Sequence, residues 1–248
     1  MLKRNITIHL GTFILFSISL LSCDKSLFDS GPEISRQIRM EETFSIIDFQ
    51  NIFDATIVQD TVNKIIITCG ENLQPKVTAN IQGGTLTLNH SEKYDWSRDY
   101  KHIKVELHLN FSPTVYIHAP ISLKTIGTIK GDNFTLVDFM KVSEVDVSVD
   151  VNSCGIYMSS DNFGYFKIKG RCNNADLWGW GSAIVRADSL LAKDCHIKHR
   201  GFNDVYVNVS GRLSVSLEYF GNIYYSGNPS EIVIENQLSS GRLIKLSQ

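Results

Sequence analysis

Histidine and cysteine occur close to an acidic residue in the segment 194–199, a composition that metal sites use. Neighbouring residues of a strand point to opposite faces, so His196 and His199 cannot chelate one ion unless the chain bends between them. His102 and His108 share a face, but about 20 Å separates them at ~3.3 Å per residue of extended chain. The sequence therefore predicts imidazoles on the surface and no metal site.

Acidic residues are the candidates for hydrolytic chemistry. Asp146 and Asp150 share strand parity, and Asp176 would neighbour one of them on an adjacent strand. A carboxylate pair of this kind would suit a polysaccharide lyase or a glycosidase. A solvated strand face gives the same pattern, and the chain has no Gly-x-Ser-x-Gly nucleophile elbow. We therefore predict a non-catalytic protein, with a carbohydrate-active enzyme as the alternative.

Six aromatic residues of the second half are the better candidates for binding a ligand. They are Tyr157, Trp178, Trp180, Tyr206, Tyr224 and Tyr225. If they share a face, stacked strands would form a ladder of rings, whose flat apolar faces and polar edges suit a sugar or another protein. The alternative is that the rings fill the core or shield the edge of a sheet.

The N-terminus carries the pattern of an export signal. A positively charged start precedes an apolar run over Ile6–Leu21, which is shorter than the ~20 residues that a membrane-spanning helix needs. A small residue and then Cys23 end the run, as in the lipobox that lipoprotein signal peptidase recognises. We predict a signal peptide over 1–22, an acylated Cys23 and a polar tether within 23–43. An ordinary signal peptide or a retained membrane anchor is the alternative.

Acylation of Cys23 would fix the protein to a membrane, because each buried CH₂ of an acyl chain contributes about 0.8 kcal/mol. The outer membrane is the expected location.

Four cysteines remain, at Cys69, Cys154, Cys172 and Cys195. Two explanations stay open for them: buried small hydrophobic side chains, or a disulfide that joins Cys172 to Cys154 or to Cys195.

Two-residue alternation of polar and apolar residues dominates from Phe44 onward, so the sequence predicts an all-β chain. The pair Gly83–Gly84 separates two such runs, 76–81 and 85–90, and predicts a hairpin, because glycine adopts positive φ without steric cost. Polar residues over 91–101 predict a long loop.

The formal net charge of −2 and the scattered basic residues argue against nucleic acid as a partner.

Four segments of the second half resemble one another in having a strand, a corner of glycine or asparagine, and a second strand. They are Val145–Met158, Phe166–Trp178, Cys195–Val207 and Leu213–Tyr225. They recur at a spacing of roughly 20 residues, as internal repeats do. One unit cannot bury its apolar face alone, but stacked units share a continuous core. The sequence thus predicts a β-solenoid, similar to a parallel β-helix, with short strands and Gly/Asn corners over 44–246. The first strands would form its opening coils or a cap.

Three features together resemble the family of the putative auto-transporter adhesin, head GIN domain, found among lipoproteins of the Bacteroides group. They are the opening Phe49–Gln59, the glycine-cornered repeats, and the closing Ile223–Pro229 followed by Ser240–Lys245. The resemblance spans about Phe44 to Lys245. It implies a β-helical surface or periplasmic domain, called an adhesin by analogy, with no catalytic residues to transfer. The corners depart from the family's usual Ser-Gly-Ser-Gly, as at Asn152–Gly155.

These patterns predict an exported lipoprotein, anchored in a membrane, whose non-catalytic, adhesin-like β-solenoid interacts with glycan or with a surface protein. A carbohydrate-active enzyme on the same scaffold would need a groove that holds two acidic side chains within reach of each other. A structural component of the cell envelope is the second alternative. No cofactor is expected.

Overall fold

The computed structural model describes residues 30–91 and 103–247. Within them the chain forms eighteen β-strands and one turn of 3-10 helix at Gln74–Lys76. The strands are β1 (Glu33–Arg39), β2 (Ile46–Phe49), β3 (Phe53–Gln59), β4 (Lys64–Gly70), β5 (Val77–Gln82), β6 (Thr85–His90), β7 (Lys104–Leu109), β8 (Thr114–Ile117), β9 (Ile121–Ile126), β10 (Ile129–Asp138), β11 (Ser143–Met158), β12 (Tyr165–Gly181), β13 (Ile184–Gly201), β14 (Val205–Val209), β15 (Arg212–Leu217), β16 (Ile223–Ser226), β17 (Glu231–Gln237) and β18 (Leu243–Lys245). The prediction of an all-β solenoid is confirmed, with about seven turns.

Parallel pairing between coils defines three faces. Face 1 stacks β6, β2, β8, the C-terminal parts of β10, β11, β12 and β13, then β15 and β17. Face 2 stacks β7, β3, β9, the N-terminal parts of β11, β12 and β13, then β14, β16 and β18. Face 3 is a shorter stack of the start of β10 and the middles of β11, β12 and β13. The paired residues Gly155, Asp176 and His196 lie 21 and 20 positions apart, close to the predicted spacing.

The core lies between the faces and is filled by every second residue of each strand. Along β11, Val145, Val147 and Val149 are fully buried, whereas the residues between them contact solvent. The bulkiest buried side chains are Phe49, Phe53, Phe134 and Phe166. Because a slip of one residue would turn these apolar side chains to solvent, their burial holds the stacked coils in a fixed register. That register decides which outward side chains become neighbours.

The chain bends from face to face without ending its strands. β11, β12 and β13 are 16, 17 and 18 residues long, longer than the short strands that the sequence predicts. The reason is that hydrogen bonds between coils continue on both sides of each bend. No described residue other than glycine has a positive φ, so the asparagine corners keep negative φ.

The N-terminal strands take both of the roles that the sequence left open. β2 and β3 pair in parallel with β8 and β9 and belong to the coils. Three pairings are antiparallel: β4 with β7, β1 with β4, and β5 with β6. Strands β1, β4 and β5 therefore cover the edge of the first parallel strands. The predicted hairpin is β5–β6, with φ of +56° and +78° at Gly83 and Gly84.

One boundary differs from its prediction, and three predicted features lie wholly or mostly outside the described residues. β1 begins at Glu33, so regular structure starts inside the range 23–43 that was predicted as a tether. The alternation in 33–39 is too polar to stand out, since most of this edge strand is exposed. The loop predicted over 91–101 lies outside the described residues apart from Ser91, as do the signal peptide and Cys23.

A candidate binding groove on face 1

Three of the six predicted aromatic residues lie together on the outer side of face 1. Tyr157 comes from β11, and Trp178 and Trp180 come from β12. The ring centroids of Tyr157 and Trp178 are 5.1 Å apart with an edge-to-face angle of 83°, and the two indoles stack at 5.6 Å and 18°. All three side chains are partly exposed, because their sequence neighbours point inward, and Trp180 also packs against the core. We call these three residues the aromatic cluster.

A lysine from the next coil covers the aromatic cluster. Lys198 pairs with Trp178 in the register of β12 and β13. Its Nζ atom lies 5.6 Å from the Trp178 ring centroid and 6.0 Å from that of Trp180. The same ammonium group is 3.8 Å from a carboxylate oxygen of Glu218. The indole faces are therefore in contact with a cation of the protein itself.

The other three aromatic residues lie elsewhere, so a single ladder does not form. Tyr206 and Tyr224 stack on the outer side of face 2, with centroids 5.0 Å apart and planes at 10°. The guanidinium of Arg186 lies 4.3 Å above the Tyr206 ring. Tyr225 has the opposite parity and packs partly buried against the core. Alternation could not reveal this separation, because each coil turns through more than one face.

A groove of about 470 Å³ lies beside the aromatic cluster and shares Tyr157 with it. Its floor follows the column Gly155, Asp176, His196 and Ser214 across successive coils. Glu235 of β17 lines the same groove. Gly155 leaves room for the Tyr157 ring, since a Cβ at this glycine would lie 2.8 Å from that ring. The sequence analysis named Asp176 and Tyr157 as candidates but not Ser214 or Glu235.

Polar side chains in the groove form a continuous chain of contacts. The hydroxyl of Tyr157 donates to Asp176 Oδ2 at 2.9 Å, and His196 Nδ1 lies 2.9 Å from Asp176 Oδ1. On the other side of the imidazole, Nε2 is 3.4 Å from Glu235 Oε2. The Ser214 hydroxyl donates to Glu235 Oε1. These contacts join side chains from five successive coils.

Two pKa shifts follow from these contacts. Burial raises the pKa of Tyr157 to about 12, and the hydrogen bond to Asp176 acts in the same direction. The hydrogen bond from Ser214 lowers the pKa of Glu235, so its carboxylate stays ionised at neutral pH. Tyr157 is accordingly a neutral donor, and Glu235 is a charged acceptor.

Alternation with Ile234 points Glu235 outward, but a bulge decides which side chains it meets. Val215 pairs with Ile234 and Ser216 pairs with Asn236, which leaves Glu235 as the extra residue of β17. The extra residue shifts the pairing that regular alternation would give between β15 and β17. Nothing in the run Glu231–Gln237 marks where that bulge lies.

The carboxylates that the sequence offered for hydrolysis do not meet. Asp146 pairs with Lys169 at 2.5 Å, and Asp150 binds Arg171 through two hydrogen bonds of 2.7 Å on another face. The groove does place Asp176 and Glu235 on either side of one imidazole. A catalytic acid, however, needs a raised pKa, and the pKa of Glu235 is lowered. The arrangement is suited to hydrogen bonding with a ligand.

Comparisons with known proteins fit this architecture. The model of the family described as putative auto-transporter adhesin, head GIN domain, matches residues 43–229. The chain belongs to this family. A search among curated proteins gives no match.

Solved structures share the fold of this head GIN domain. A putative adhesin from Bacteroides fragilis has a TM-score of 0.77 at 19% identity, over 87% of this chain and 97% of that one. A putative adhesin from Parabacteroides distasonis has a TM-score of 0.61 at 16% identity, over 87% and 98% of the chains. A third, from Parabacteroides merdae, has 0.60 at 15%, over 88% and 97%. At these sequence identities the similarity concerns the fold alone.

The histidines of this head GIN domain are placed by parity, with one correction. His196 faces outward and His199 faces inward, as opposite parity requires. The prediction of a surface imidazole is wrong for His199, which is fully buried with Nδ1 3.0 Å from the carbonyl oxygen of Gly179. Burial lowers the pKa of His199, so this ring stays neutral in the core. His102 lies outside the described residues.

The four cysteines beyond Cys23 are buried, free thiols. This agrees with the interpretation of these cysteines as buried small hydrophobic side chains. No disulfide joins Cys172 to Cys154 or to Cys195. Burial raises the pKa of Cys172 to about 11, which keeps the thiol protonated and unreactive at neutral pH.

A line of exposed apolar residues was missed by the sequence analysis. It lies at the turns that lead from face 1 to face 2, and its members are Phe139, Phe163, Phe202, Phe220 and Leu238. Phe202 and Phe220 stack at 6.0 Å, and Tyr219 meets Phe202 edge-on at 4.8 Å. We call this line the corner ridge. Because it lies in turns, the two-residue pattern gave no signal for it.

Proposed function

We propose that this protein is an exported, lipid-anchored adhesin of the outer membrane whose head domain binds glycan, without catalysis, at the aromatic cluster and the adjoining groove. Family membership and the naming of similar structures as putative adhesins support an adhesive role at the cell surface. The lipobox at Cys23 supports the anchor. Among residues 30–91 and 103–247 there is no helix able to cross a bilayer.

The observation that carries the glycan proposal is the juxtaposition of three partly exposed rings with a polar groove. Sugar rings have an apolar face, which packs on Trp and Tyr, and a rim of hydroxyl groups that needs donors and acceptors. Trp178 and Trp180 supply the first surface, and Asp176, His196 and Glu235 supply the second. A volume of about 470 Å³ falls within the ~300–1,000 Å³ typical of sites for small ligands.

The double variant Trp178→Ala/Trp180→Ala tests this proposal. Removing two rings from a sugar contact should weaken binding by at least about tenfold, since a buried aromatic contact contributes ~1.5–3 kcal/mol. Affinity for a panel of cell-envelope and host oligosaccharides would be measured by calorimetry on the purified full-length lipoprotein in detergent.

The matched control is Tyr206→Ala/Tyr224→Ala, which removes a stacked pair from face 2. We expect this control to bind as the parent does, and far-ultraviolet circular dichroism would establish that both variants fold. Equal affinity of the tryptophan variant and the parent would contradict the proposed site. Failure of every oligosaccharide to bind the parent would favour a structural role in the envelope.

A further inference from the structure

Two adjoining features of face 1 attract positive charge, and the first is the aromatic cluster. The ammonium group of Lys198 rests over both indoles, where the negative faces of the rings attract a cation. The lysine side chain remains partly exposed, and Glu218 lies on its far side at 3.8 Å. Lys198 thus marks a position where an ammonium group is stable against these rings.

The second feature is the balance of charge in the groove. Asp176, Asp194 and Glu235 line it, against the single permanent cation Arg212. The guanidinium of Arg212 is directed to Glu231, 3.5 Å away and outside the groove lining. Asp194 Oδ1 is met by the backbone N–H of Arg212 at 2.7 Å. The groove therefore has more negative than positive charge facing a ligand.

Glu235 Oε2 is the most weakly bonded carboxylate oxygen beside His196. Asp176 and Glu235 lie at the two nitrogens of this imidazole, and the contact to Asp176 is the shorter one. Glu235 Oε2 is 3.4 Å from the imidazole and 3.5 Å from the Ser216 hydroxyl. Charge-assisted hydrogen bonds are usually ~2.7–2.9 Å long, so both contacts are weak. Since the Glu235 side chain is 40% exposed, this oxygen is open to a further donor.

We infer that the groove selects amine-bearing oligosaccharides, in which the ammonium group of one sugar unit donates to Glu235 Oε2 while the ring of another unit packs on the aromatic cluster. This inference rests on the proposed glycan binding and assigns it a class of sugar. A uronic acid would place a third carboxylate beside Asp176 and Glu235. A neutral sugar would bind through ring packing and hydroxyl groups but leave Glu235 Oε2 weakly paired.

Three probes of equal length separate these cases: the hexamers of β-1,4-linked glucosamine, of N-acetylglucosamine and of galacturonic acid. Calorimetry would use the full-length lipoprotein at a pH at which the sugar amines are charged. We expect the glucosamine hexamer to bind at least about tenfold more tightly than the acetylated hexamer, and the acidic hexamer to bind most weakly. Added salt should reduce this preference, because it screens the ion pair.

The variant Glu235→Gln removes the charge and keeps the shape of the side chain. It should lower affinity for the glucosamine hexamer about tenfold and leave the acetylated hexamer unchanged. Glu144→Gln, an exposed acid on face 2, is the matched control and should change neither. Should Glu235→Gln fail to fold, Glu235→Ala removes the same charge and provides the comparison.

Selectivity for amines is overturned if the acetylated hexamer binds as tightly as the glucosamine hexamer, or if Glu235→Gln weakens both equally. In that outcome, a loss of binding in Trp178→Ala/Trp180→Ala would still uphold the glycan site. If none of the three hexamers binds the parent, and no other oligosaccharide does, the proposed function and this inference fall together.

Discussion

Gly170 shows how one position can limit the stacking of coils. Its φ is +104°, and a Cβ added there would lie 2.0 Å from the carbonyl oxygen of Val149 on the preceding coil. That atom is backbone, so it cannot move aside without separating β11 from β12. Both the dihedral angle and the space thus require glycine.

Gly170→Ala should therefore lower the melting temperature substantially. A strained φ and a displaced backbone together cost about 3 kcal/mol, which corresponds to roughly 6–12 °C for a chain of this size. Gly83→Ala is the control, because Gly83 also has a positive φ but a Cβ there meets nothing within 4 Å. Equal shifts for the two variants in thermal melts followed by circular dichroism would show that the close approach to Val149 is unimportant.

At the scale of single residues, parity determined which side chains point outward. It separated His196 from His199 and put Trp178 and Trp180 on one side of β12. It could not show which side chains Glu235 meets, because the bulge of β17 against Val215 and Ser216 shifts the pairing. The contact of Glu235 with His196 was therefore beyond sequence reasoning.

At the scale of strands, the hairpin β5–β6 and the spacing of about 20 residues between coils could be predicted. The bends could not, because β11, β12 and β13 pass through them with unbroken hydrogen bonding and no positive φ at asparagine. Without the bends, the sequence cannot tell that Tyr206 lies on a different face from Trp178. The candidate site is thus visible as a set of aromatic residues but not as a groove.

Register between coils limits prediction in a second way. Irregularities occur between β12 and β13 at Lys167 and Lys169, and between β13 and β14 from Ala187 to Leu191. Each one changes which residues lie side by side on the following coils. The contact of His196 with Glu235 depends on the sum of such shifts, which local patterns do not encode.

At the scale of the whole molecule, the amphipathic repeats specified a solenoid, and the antiparallel strands β1, β4 and β5 cap its first coils. β1 begins at Glu33, ten positions after Cys23. A segment of that length spans at most about 35 Å when fully extended. An acylated Cys23 would accordingly hold the head domain close to its membrane.

Cys23→Ala tests the anchor at this scale. Cells that express the parent in the presence of labelled palmitate should incorporate the label into the protein, whereas the variant should incorporate none, because the thiol that carries the lipid is gone. Cys172→Ala, which removes a buried thiol of the core, is the control and should be labelled like the parent. Equal labelling of Cys23→Ala and the parent, or no labelling of the parent, would contradict the lipoprotein prediction.

Hydroxyl-radical footprinting with the glucosamine and N-acetylglucosamine hexamers is the most direct test of where a sugar binds. The aromatic cluster on face 1 should be protected from oxidation when a hexamer is bound. Tyr206 and Tyr224 on face 2, and Phe202 and Phe220 on the corner ridge, should react as before and correct for radicals consumed by the sugar. Protection of face 2 or of the corner ridge, with Trp178 and Trp180 unchanged, would contradict a binding site on face 1.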